Sequence, residues 1–346
     1  MEHDAAFVRQ VRDDPQNDIH RLIYADYLAD QQAERGELIR LQVEMSSLDV
    51  MDPAWSQARK RVDVLLDEYG EQWLQPLREL GAKKLTKRCF HKGLIERIEM
   101  PTTALGEPLA AICQREPALW HLDVQLQSPE DVELLASADL PEQIVIVDLS
   151  HNRLSPEDLQ RIAESSWLPR VRELKLENCR LTNAALAPLL AVNMPRLETL
   201  ALTGNALTGD ILLPLREWSA IGQLRALRLA GNELRAQGGE LDLAHLLSVL
   251  TQIEELDLGG NGLNDAQVRQ LCDGAPSGTL RRLSLRSNKF GKDGFVALCN
   301  AAVFANLELL DVRGNLKTGS YGYGREYNTS DEEVALRERY GDRVKI

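Results

Sequence analysis

Charged residues between positions 26 and 40 are the first candidates for chemistry in this chain. Asp26, Arg35, Glu37 and Arg40 lie close together in sequence and combine acids with bases. Such a set either forms a catalytic or binding cluster, or it pairs internally and determines how helices pack. The sequence favours the second interpretation.

Recognisable catalytic motifs are absent from the sequence. The chain has no G-x-S-x-G, no G-x-x-x-x-G-K-[ST] and no H-E-x-x-H. Its 6 histidines are scattered, and none stands near a Cys or Asp at a spacing typical of a metal or nucleophile site. We therefore expect no catalytic residue, no metal site and no cofactor, and the chain is predicted not to be an enzyme.

Side chains on short predicted strands are better candidates, because alternate residues of a strand face the same side and together form a surface. The residues predicted to contact a protein partner are Trp120, His121, Asp148, Glu173, Lys175, Glu177, Arg228, Glu255, Asp257, Arg282, Arg286, Asp311 and Arg313. The alternative is a solvated face whose charges pair across strands, for example Arg282 with Glu255.

These strands belong to a repeated phrase, L-x-x-L-x-L-x-x-N-x-L, whose copies are spaced 26 to 29 residues apart. A fixed period of this length predicts one strand-and-helix unit stacked many times. The side chain at the N position is predicted to satisfy backbone groups where the strand turns. These structural ladder positions are Asn152, Cys179, Asn205, Asn232, Asn261, Asn288 and Asn315.

A helical pattern separates the strands. Ser155-Pro156-Glu157-Asp158 supplies the capping serine, first-turn proline and acid of a helix start, and Leu159, Ile162 and Ala163 form one apolar stripe. The sequence therefore predicts an α/β solenoid with a parallel β-sheet on its concave side and helices on its convex side.

The phrase resembles the leucine-rich repeat of the ribonuclease-inhibitor type. The resemblance covers roughly residues 142–318 and implies a horseshoe that binds a partner. Two looser copies, at Ile95–Met100 and Leu119–Val124, precede it and are predicted to cap the solenoid. Some proteins of this type act as GTPase activators through an Arg near the strand–helix turn, which is where Arg153 and Arg180 stand, but no other feature supports that role.

Residues 4–80 lack the repeat and predict a cap of five short helices, the fourth from Trp55 to Leu66 and the fifth around Trp73 to Leu77. The phrases R-L-I-Y-A-D-Y-L at 21–28 and R-G-E-L-I-R-L-Q at 35–42 resemble a bacterial repeat-companion domain, which precedes leucine-rich repeats and has no agreed activity. The predicted domains are a helical companion domain at 1–88, a solenoid at 89–318 whose first two repeats are irregular, and a C-terminal cap at 319–346. Within these we expect an insertion at 237–240, a loop at 321–324 and a final edge strand at 344–346.

Composition restricts the partner and the compartment. The net charge of −13 argues against nucleic acid or an anionic membrane. The 5 cysteines are far apart, which is typical of reduced thiols, and we see neither a signal peptide nor a stretch of about 20 apolar residues. A cytoplasmic protein, monomeric when alone, is therefore expected.

The leading hypothesis is a non-enzymatic interaction module or scaffold that binds another protein through the concave face. The alternative is a regulator, an inhibitor or the recognised target of a partner enzyme such as a protease. In that case residues 1–80, with 17 acids against 9 Lys and Arg, would steer a basic partner. A GTPase activator and an enzyme with a site near Asp26 and Glu37 are two further alternatives.

Overall fold

The computed structural model describes residues 7, 10–14, 17–29, 31–234, 243–274, 278–315 and 331–346. The chain divides into two compact units, Met1–Asp148 and Leu149–Ile346. The insertion predicted at 237–240 and the loop predicted at 321–324 lie outside the described residues.

Helices form the first part of the first unit. After a helical stretch at residues 10–13 come α1 (Asp18–Leu28), α2 (Ala33–Ser47) and α3 (Pro53–Glu79). The side chains of Asn17 and Asp52 cap α1 and α3 by accepting a hydrogen bond from a backbone N–H two residues later.

One expectation for this segment is wrong. The sequence predicted separate helices at residues 55–66 and 73–77, whereas the structure has the single helix α3. Its buried positions continue at helical spacing through the predicted break, where Gly70 lies against the side chain of Lys87. Glycine lowers helix stability by about 1 kcal/mol, and the packing of this continuous apolar stripe offsets that cost.

Gly36 allows α1 and α2 to approach closely. A Cβ at this position would lie 2.6 Å from the carbonyl oxygen of Ala25, so a larger residue would force the two helices apart. Tyr24, Leu28 and Ile39 belong to the apolar cluster beside this contact.

A buried ion pair connects α2 to the chain that follows the helices. Arg35 Nη2 donates to both carboxylate oxygens of Glu116 at 2.9 and 3.1 Å. The guanidinium lies over the rings of Trp73 and Phe90, 5.1 and 4.5 Å from their centroids. Burial raises the pKa of Glu116, while the charge of Arg35 and the N–H of Ile95 oppose that shift.

Strands complete the first unit. An antiparallel hairpin of β1 (Phe90–His91) and β2 (Leu94–Ile95) leads into three parallel strands. These strands and the helices between them are β3 (Arg97–Met100), α4 (Glu107–Arg115), β4 (His121–Val124), α5 (Pro129–Ser137) and β5 (Ile146–Asp148). In the register of the sheet, Arg97 is opposite His121 and Asp123 is opposite Asp148.

The second unit alternates helices and short strands. Its helices are α6 (Pro156–Ala163), α7 (Asn183–Leu190), α8 (Leu212–Glu217), α9 (Leu243–Val249), α10 (Asp265–Cys272), α11 (Lys292–Asn300) and α12 (Asp331–Tyr340). Its strands are β6 (Glu173–Lys175), β7 (Thr199–Ala201), β8 (Ala226–Arg228), β9 (Glu255–Asp257), β10 (Arg282–Ser284), β11 (Leu309–Asp311) and β12 (Val344–Lys345). Each strand pairs in parallel with the next along the chain, and β12 forms the final strand as predicted. The α/β solenoid predicted from the sequence is confirmed.

Buried asparagines hold the turns between strand and helix. Asn205 Oδ1 accepts from the backbone N–H groups of Cys179 and Leu181, both at 3.0 Å. Its Nδ2 donates to the carbonyls of Leu176 and Leu202 at 2.8 and 2.9 Å. One amide therefore satisfies four backbone groups in two adjacent turns. Asn232, Asn261 and Asn288 likewise donate to two or more carbonyls and accept from the turn before.

The other ladder positions also donate to backbone carbonyls. Cys179 is 1% exposed and its thiol donates to the carbonyl of Leu149 at 3.2 Å. Asn152 donates to the same carbonyl at 2.9 Å. Asn315, half-buried, donates to the carbonyls of Leu285 and Val312.

Hydroxyl, amide and acid side chains begin several helices of the second unit. Ser155 and Asp158 bond each other's backbone N–H at the start of α6, and Asn264 and Gln267 do the same at α10. No helix in the described ranges combines the length and apolar character that crossing a bilayer requires.

We expect Asn205→Ala to lower the free energy of unfolding by about 3 kcal/mol, because it leaves buried backbone groups without partners at about 1–3 kcal/mol each. Urea denaturation measures the change. Asn193→Ala is the matched control, since Asn193 is exposed and its removal is expected to change stability by less than about 0.5 kcal/mol. Equal effects of the two substitutions would contradict the ladder's role.

We also expect Glu116→Gln to destabilise the first unit by about 3 kcal/mol, because it leaves the charge of Arg35 buried without a counter-charge. In the control, Glu37→Gln disrupts the exposed pair with Arg61, whose atoms lie 2.7 Å apart, and is expected to cost under about 1 kcal/mol. Thermal or urea unfolding of both variants gives the comparison. If Glu116→Gln left the stability unchanged, the carboxyl of Glu116 would already be protonated in the folded chain.

Candidate binding face of the repeats

Strands β6 to β11 place their charged side chains on one side of the sheet. In each strand the central leucine is buried, as Leu174 and Leu256 are at 0% exposure, and the two flanking residues point to the opposite side. We call the side chains that flank these leucines, and the continuing alternate residues up to the turn, the strand face of residues 149–346. This surface is the candidate binding site.

An alternating network of acids and bases occupies the middle of the strand face. Arg228 Nε donates to Glu255 at 2.6 Å, and its Nη1 lies 3.4 Å from Glu173. Arg282 Nη2 donates to the other oxygen of Glu255 at 2.9 Å, and Lys175 lies 3.5 Å from Glu173. The structure therefore brings these five predicted residues together and pairs them with one another.

Small residues on β7 make this network possible. Thr199 and Ala201 stand between Glu173 on β6 and Arg228 on β8. The long arginine side chain crosses the intervening strand because neither residue is large enough to block it. The side chains of the strand face are therefore short at β7, and the side chain of Arg228 extends across them.

The charge network shifts the pKa values of its members. Burial raises the pKa of Glu255, but hydrogen bonds from Arg228 and Arg282 outweigh it, so the net shift is downward. For Arg228, burial lowers the pKa and the hydrogen bond and charge of Glu255 raise it more. Both groups are therefore held in their charged forms.

The β10–β12 end of the strand face is basic. Arg282 and Arg313 are about half exposed, at 48% and 53% of their side-chain surface, and Arg286 and Lys345 are exposed. For Arg286 no ion pair occurs with any residue that the structure describes. Sequence reasoning missed Lys345, although the final edge strand it predicted already placed this residue beside Asp311.

Asp311 pairs with Arg313 on the strand face. Its two oxygens accept from Arg313 Nε and Nη2 at 2.9 and 2.6 Å, and the residue is 7% exposed. Burial raises the pKa of Asp311, but the hydrogen bonds from Arg313 lower it by more, so the net shift is downward and the carboxyl stays ionised. Asp257 accepts from the N–H of Gly259 at 2.9 Å, and Glu177 is half-buried on β6's extension.

Three predicted contact residues belong to the first unit. Trp120 is partly buried against its helical core and lies 5.9 Å from the guanidinium of Arg21. His121 lies 3.0 Å from Asp123 and 3.7 Å from Asp148. Sequence spacing gave no indication of Asp148 at this position, because strand register brings it beside β4 from 27 residues away in sequence. The alternation His-Leu-Asp at 121–123 was the available signal for Asp123.

Of the four charged residues predicted near the N-terminus, Asp26 and Arg40 pair with each other, and Glu37 and Arg35 pair with residues outside the set. Arg40 donates to Asp26 at 2.7 Å, and Arg61 donates to both oxygens of Glu37 at 2.7 Å. Arg35 pairs with Glu116, as described above, and both line an open pocket of about 480 Å³ in the first unit. Neither Asp26 nor Glu37 lines that pocket.

We expect Glu255→Gln to lower the free energy of unfolding by about 1 kcal/mol at pH 7, since the pair is partly exposed. The folded pKa lies below the ordinary value of about 4.3, so the carboxylate's contribution is complete above that pH and is lost as the pH falls through the folded pKa. Urea unfolding from pH 7 to pH 3 should show the two proteins converging. Glu308→Gln, whose carboxylate is 69% exposed and 3.7 Å from Arg281, serves as control, and a pH-independent difference for Glu255→Gln would contradict the network.

Comparisons with known proteins agree with the fold. Residues 278–299 match the family model described as Leucine Rich repeat. The chain is 29% identical over 197 residues to ribonuclease inhibitor of Sus scrofa, covering 46% of this chain and 43% of that protein. It is 31% identical over 241 residues to NACHT, LRR and PYD domains-containing protein 12 of Homo sapiens, covering 64% of this chain and 21% of that protein.

A solved structure, the mouse RP105/MD-1 complex, aligns with a TM-score of 0.37 and 16% identity, covering 68% of this chain and 43% of that chain. The chain spans less than half the length of the curated relatives named above. On the repeat phrase, the strand–helix alternation and the sequence similarity together, the chain contains leucine-rich repeats and is similar in sequence to ribonuclease inhibitor.

Proposed function

We propose that this chain is a non-enzymatic protein-binding module whose partner docks on the strand face of residues 149–346. The observation that carries the proposal is the basic β10–β12 end, where the side chains of Arg282 and Arg313 stay about half exposed beside their acidic partners and Arg286 is exposed. Arginine binds carboxylates in a bidentate manner and is enriched among the residues that dominate binding energy. The partner is therefore proposed to present acidic side chains to this end.

The internally paired middle of the strand face supports the same location. Arg228 and Glu255 neutralise each other. They therefore provide a partner with a shaped surface and polar contacts, but with little net charge. Desolvating such a pair costs more than it returns unless new bonds form. Binding energy is thus assigned to the basic end, and specificity to the network beside it.

An inhibitory role is the second candidate, and one observation favours it. The chain resembles a protein that is named for inhibiting ribonuclease, and the similarity covers 46% of this chain. A regulator, an inhibitor or the recognised target of a partner enzyme would use the same strand face. In that version the acid-rich residues 1–80 would speed association with a basic partner.

The finer assignments are also proposals. We infer a bacterial, cytoplasmic protein that is monomeric alone, with a companion domain at 1–88, a solenoid at 89–318 and a cap at 319–346. The absence of enzymatic activity is supported by the ion pairing of Asp26 and Glu37 with Arg40 and Arg61. Arg153 and Arg180, the residues considered for GTPase activation, are exposed next to ladder positions.

We expect the combined substitution Arg286→Glu and Arg313→Gln to abolish capture of a stoichiometric partner from an extract of the source organism. With the purified partner, calorimetry or surface plasmon resonance should show the Kd rising by at least about 30-fold, because two exposed arginine anchors are lost. Binding by the double variant at the wild-type affinity would refute this location.

Arg269→Glu on α10 is the matched control. Arg269 is 56% exposed, close to the 53% of Arg313, but lies on a helix outside the strand face. Its substitution should leave the Kd unchanged. If Arg269→Glu impaired binding and the double variant did not, the helix side would be the docking surface.

A further inference from the structure

Three side chains of the first unit converge on the polar side of strands β3 to β5. His121 and Asp123 are two residues apart on β4 and therefore face the same side, and Asp148 stands opposite Asp123 on β5. Nε2 of His121 lies 3.0 Å from Oδ1 of Asp123 and 3.7 Å from Oδ2 of Asp148. One nitrogen and two oxygens from the three residues all lie within 4.8 Å of one another.

The histidine is buried and its inward nitrogen is unsatisfied. The His121 side chain is 9% exposed, and neither its Nε2 nor Oδ1 of Asp123 makes a hydrogen bond to any residue that the structure describes. Nε2 of His121 and Oδ1 of Asp123 lie 3.0 Å apart, but their relative orientation gives no hydrogen bond between them. A cation satisfies both atoms.

The surrounding charges also favour a cation. Glu99, Asp123 and Asp148 stand opposite one another on three adjacent strands, and like charges in that arrangement destabilise a sheet. Lys84 pairs with Glu99 at 2.7 Å, and Arg97 contacts Asp123 and Asp148 at 2.6 and 3.3 Å. Two bases against three carboxylates leave the group negative.

We propose that His121, Asp123 and Asp148 bind a divalent transition-metal ion such as Zn²⁺. Zinc lies about 2.0–2.2 Å from nitrogen and oxygen ligands, which places neighbouring ligand atoms roughly 3.0–3.6 Å apart. The two separations from His121 Nε2, 3.0 and 3.7 Å, agree with that spacing. An imidazole with two carboxylates suits Zn²⁺, Mn²⁺ or Fe²⁺, whereas Ca²⁺ and Mg²⁺ prefer oxygen ligands alone.

Arg97 is a positioning residue in this site. Its Nε donates to Oδ2 of Asp123, which leaves Oδ1 directed at His121. Ligating carboxylates in metal sites are commonly held in this way by a second hydrogen-bonding group. The site belongs to the first unit and does not depend on the proposed docking at the strand face of residues 149–346.

The test uses the full chain after treatment with a chelator. Calorimetric titration with ZnCl₂, and with CoCl₂ followed by visible absorption, should show one ion bound per wild-type chain. His121→Asn and Asp148→Asn should each weaken affinity by more than about 100-fold, beyond the loss typical of outer-shell partners. His91→Asn is the control, because His91 forms another histidine–carboxylate pair, 2.8 Å from Glu96, on an exposed side chain.

A second measurement records Zn²⁺ binding on the wild-type protein and uses the His121→Asn variant only to assign the signal. In histidine-labelled chain, Zn²⁺ should shift one of the 6 imidazole signals, and that signal should be the one missing from the His121→Asn spectrum. If the titration showed no stoichiometric binding of Zn²⁺, the proposal would be overturned. Equal loss in His91→Asn, or a shift in a histidine other than His121, would also overturn it.

Discussion

The need to satisfy buried backbone groups where each strand turns toward its helix governs the repeat region. At that turn the chain leaves the sheet, and several N–H and C=O groups lose their ladder partners inside the molecule. A single asparagine amide supplies an acceptor and two donors, as Asn205 does for four backbone groups in two adjacent turns. Because each asparagine serves the repeat before it as well as its own, the stack has one permitted register.

That register determines which side chains are available for binding. Each strand from β6 to β11 is three residues long with a buried leucine at its centre, so the two neighbours of that leucine must face the opposite side. The lengths of these flanking side chains then decide which charges form ion pairs. Arg228 reaches Glu173 across β7 because Thr199 and Ala201 are small. The β10–β12 end, by contrast, has four basic side chains, those of Arg282, Arg286, Arg313 and Lys345. Among the described residues, their close acidic partners are only Glu255 and Asp311, so exposed positive charge remains.

The first unit contains two different arrangements of buried charge. Arg35 and Glu116 form an ion pair with opposite charges in direct contact, to which two aromatic rings and a backbone N–H add further contacts. His121 is equally buried but has no hydrogen bond at Nε2. The Arg35–Glu116 pair has an evident role in packing, whereas the unpartnered Nε2 of His121 lies beside two carboxylates, and that combination indicates a ligand. The difference separates a structural cluster from a candidate site in the same unit.

The repeat period, the ladder positions and the helix starts followed from the sequence alone, because each depends on residues within one turn or one strand. Tertiary structure decided the continuity of α3, where packing outweighs the helix-breaking tendency of Gly70. It also decided the partner of Arg35, which is 81 residues away in sequence, and the approach of Asp148 to His121. Such contacts depend on strand register and on the reach of individual side chains, and no local pattern in the sequence encodes either.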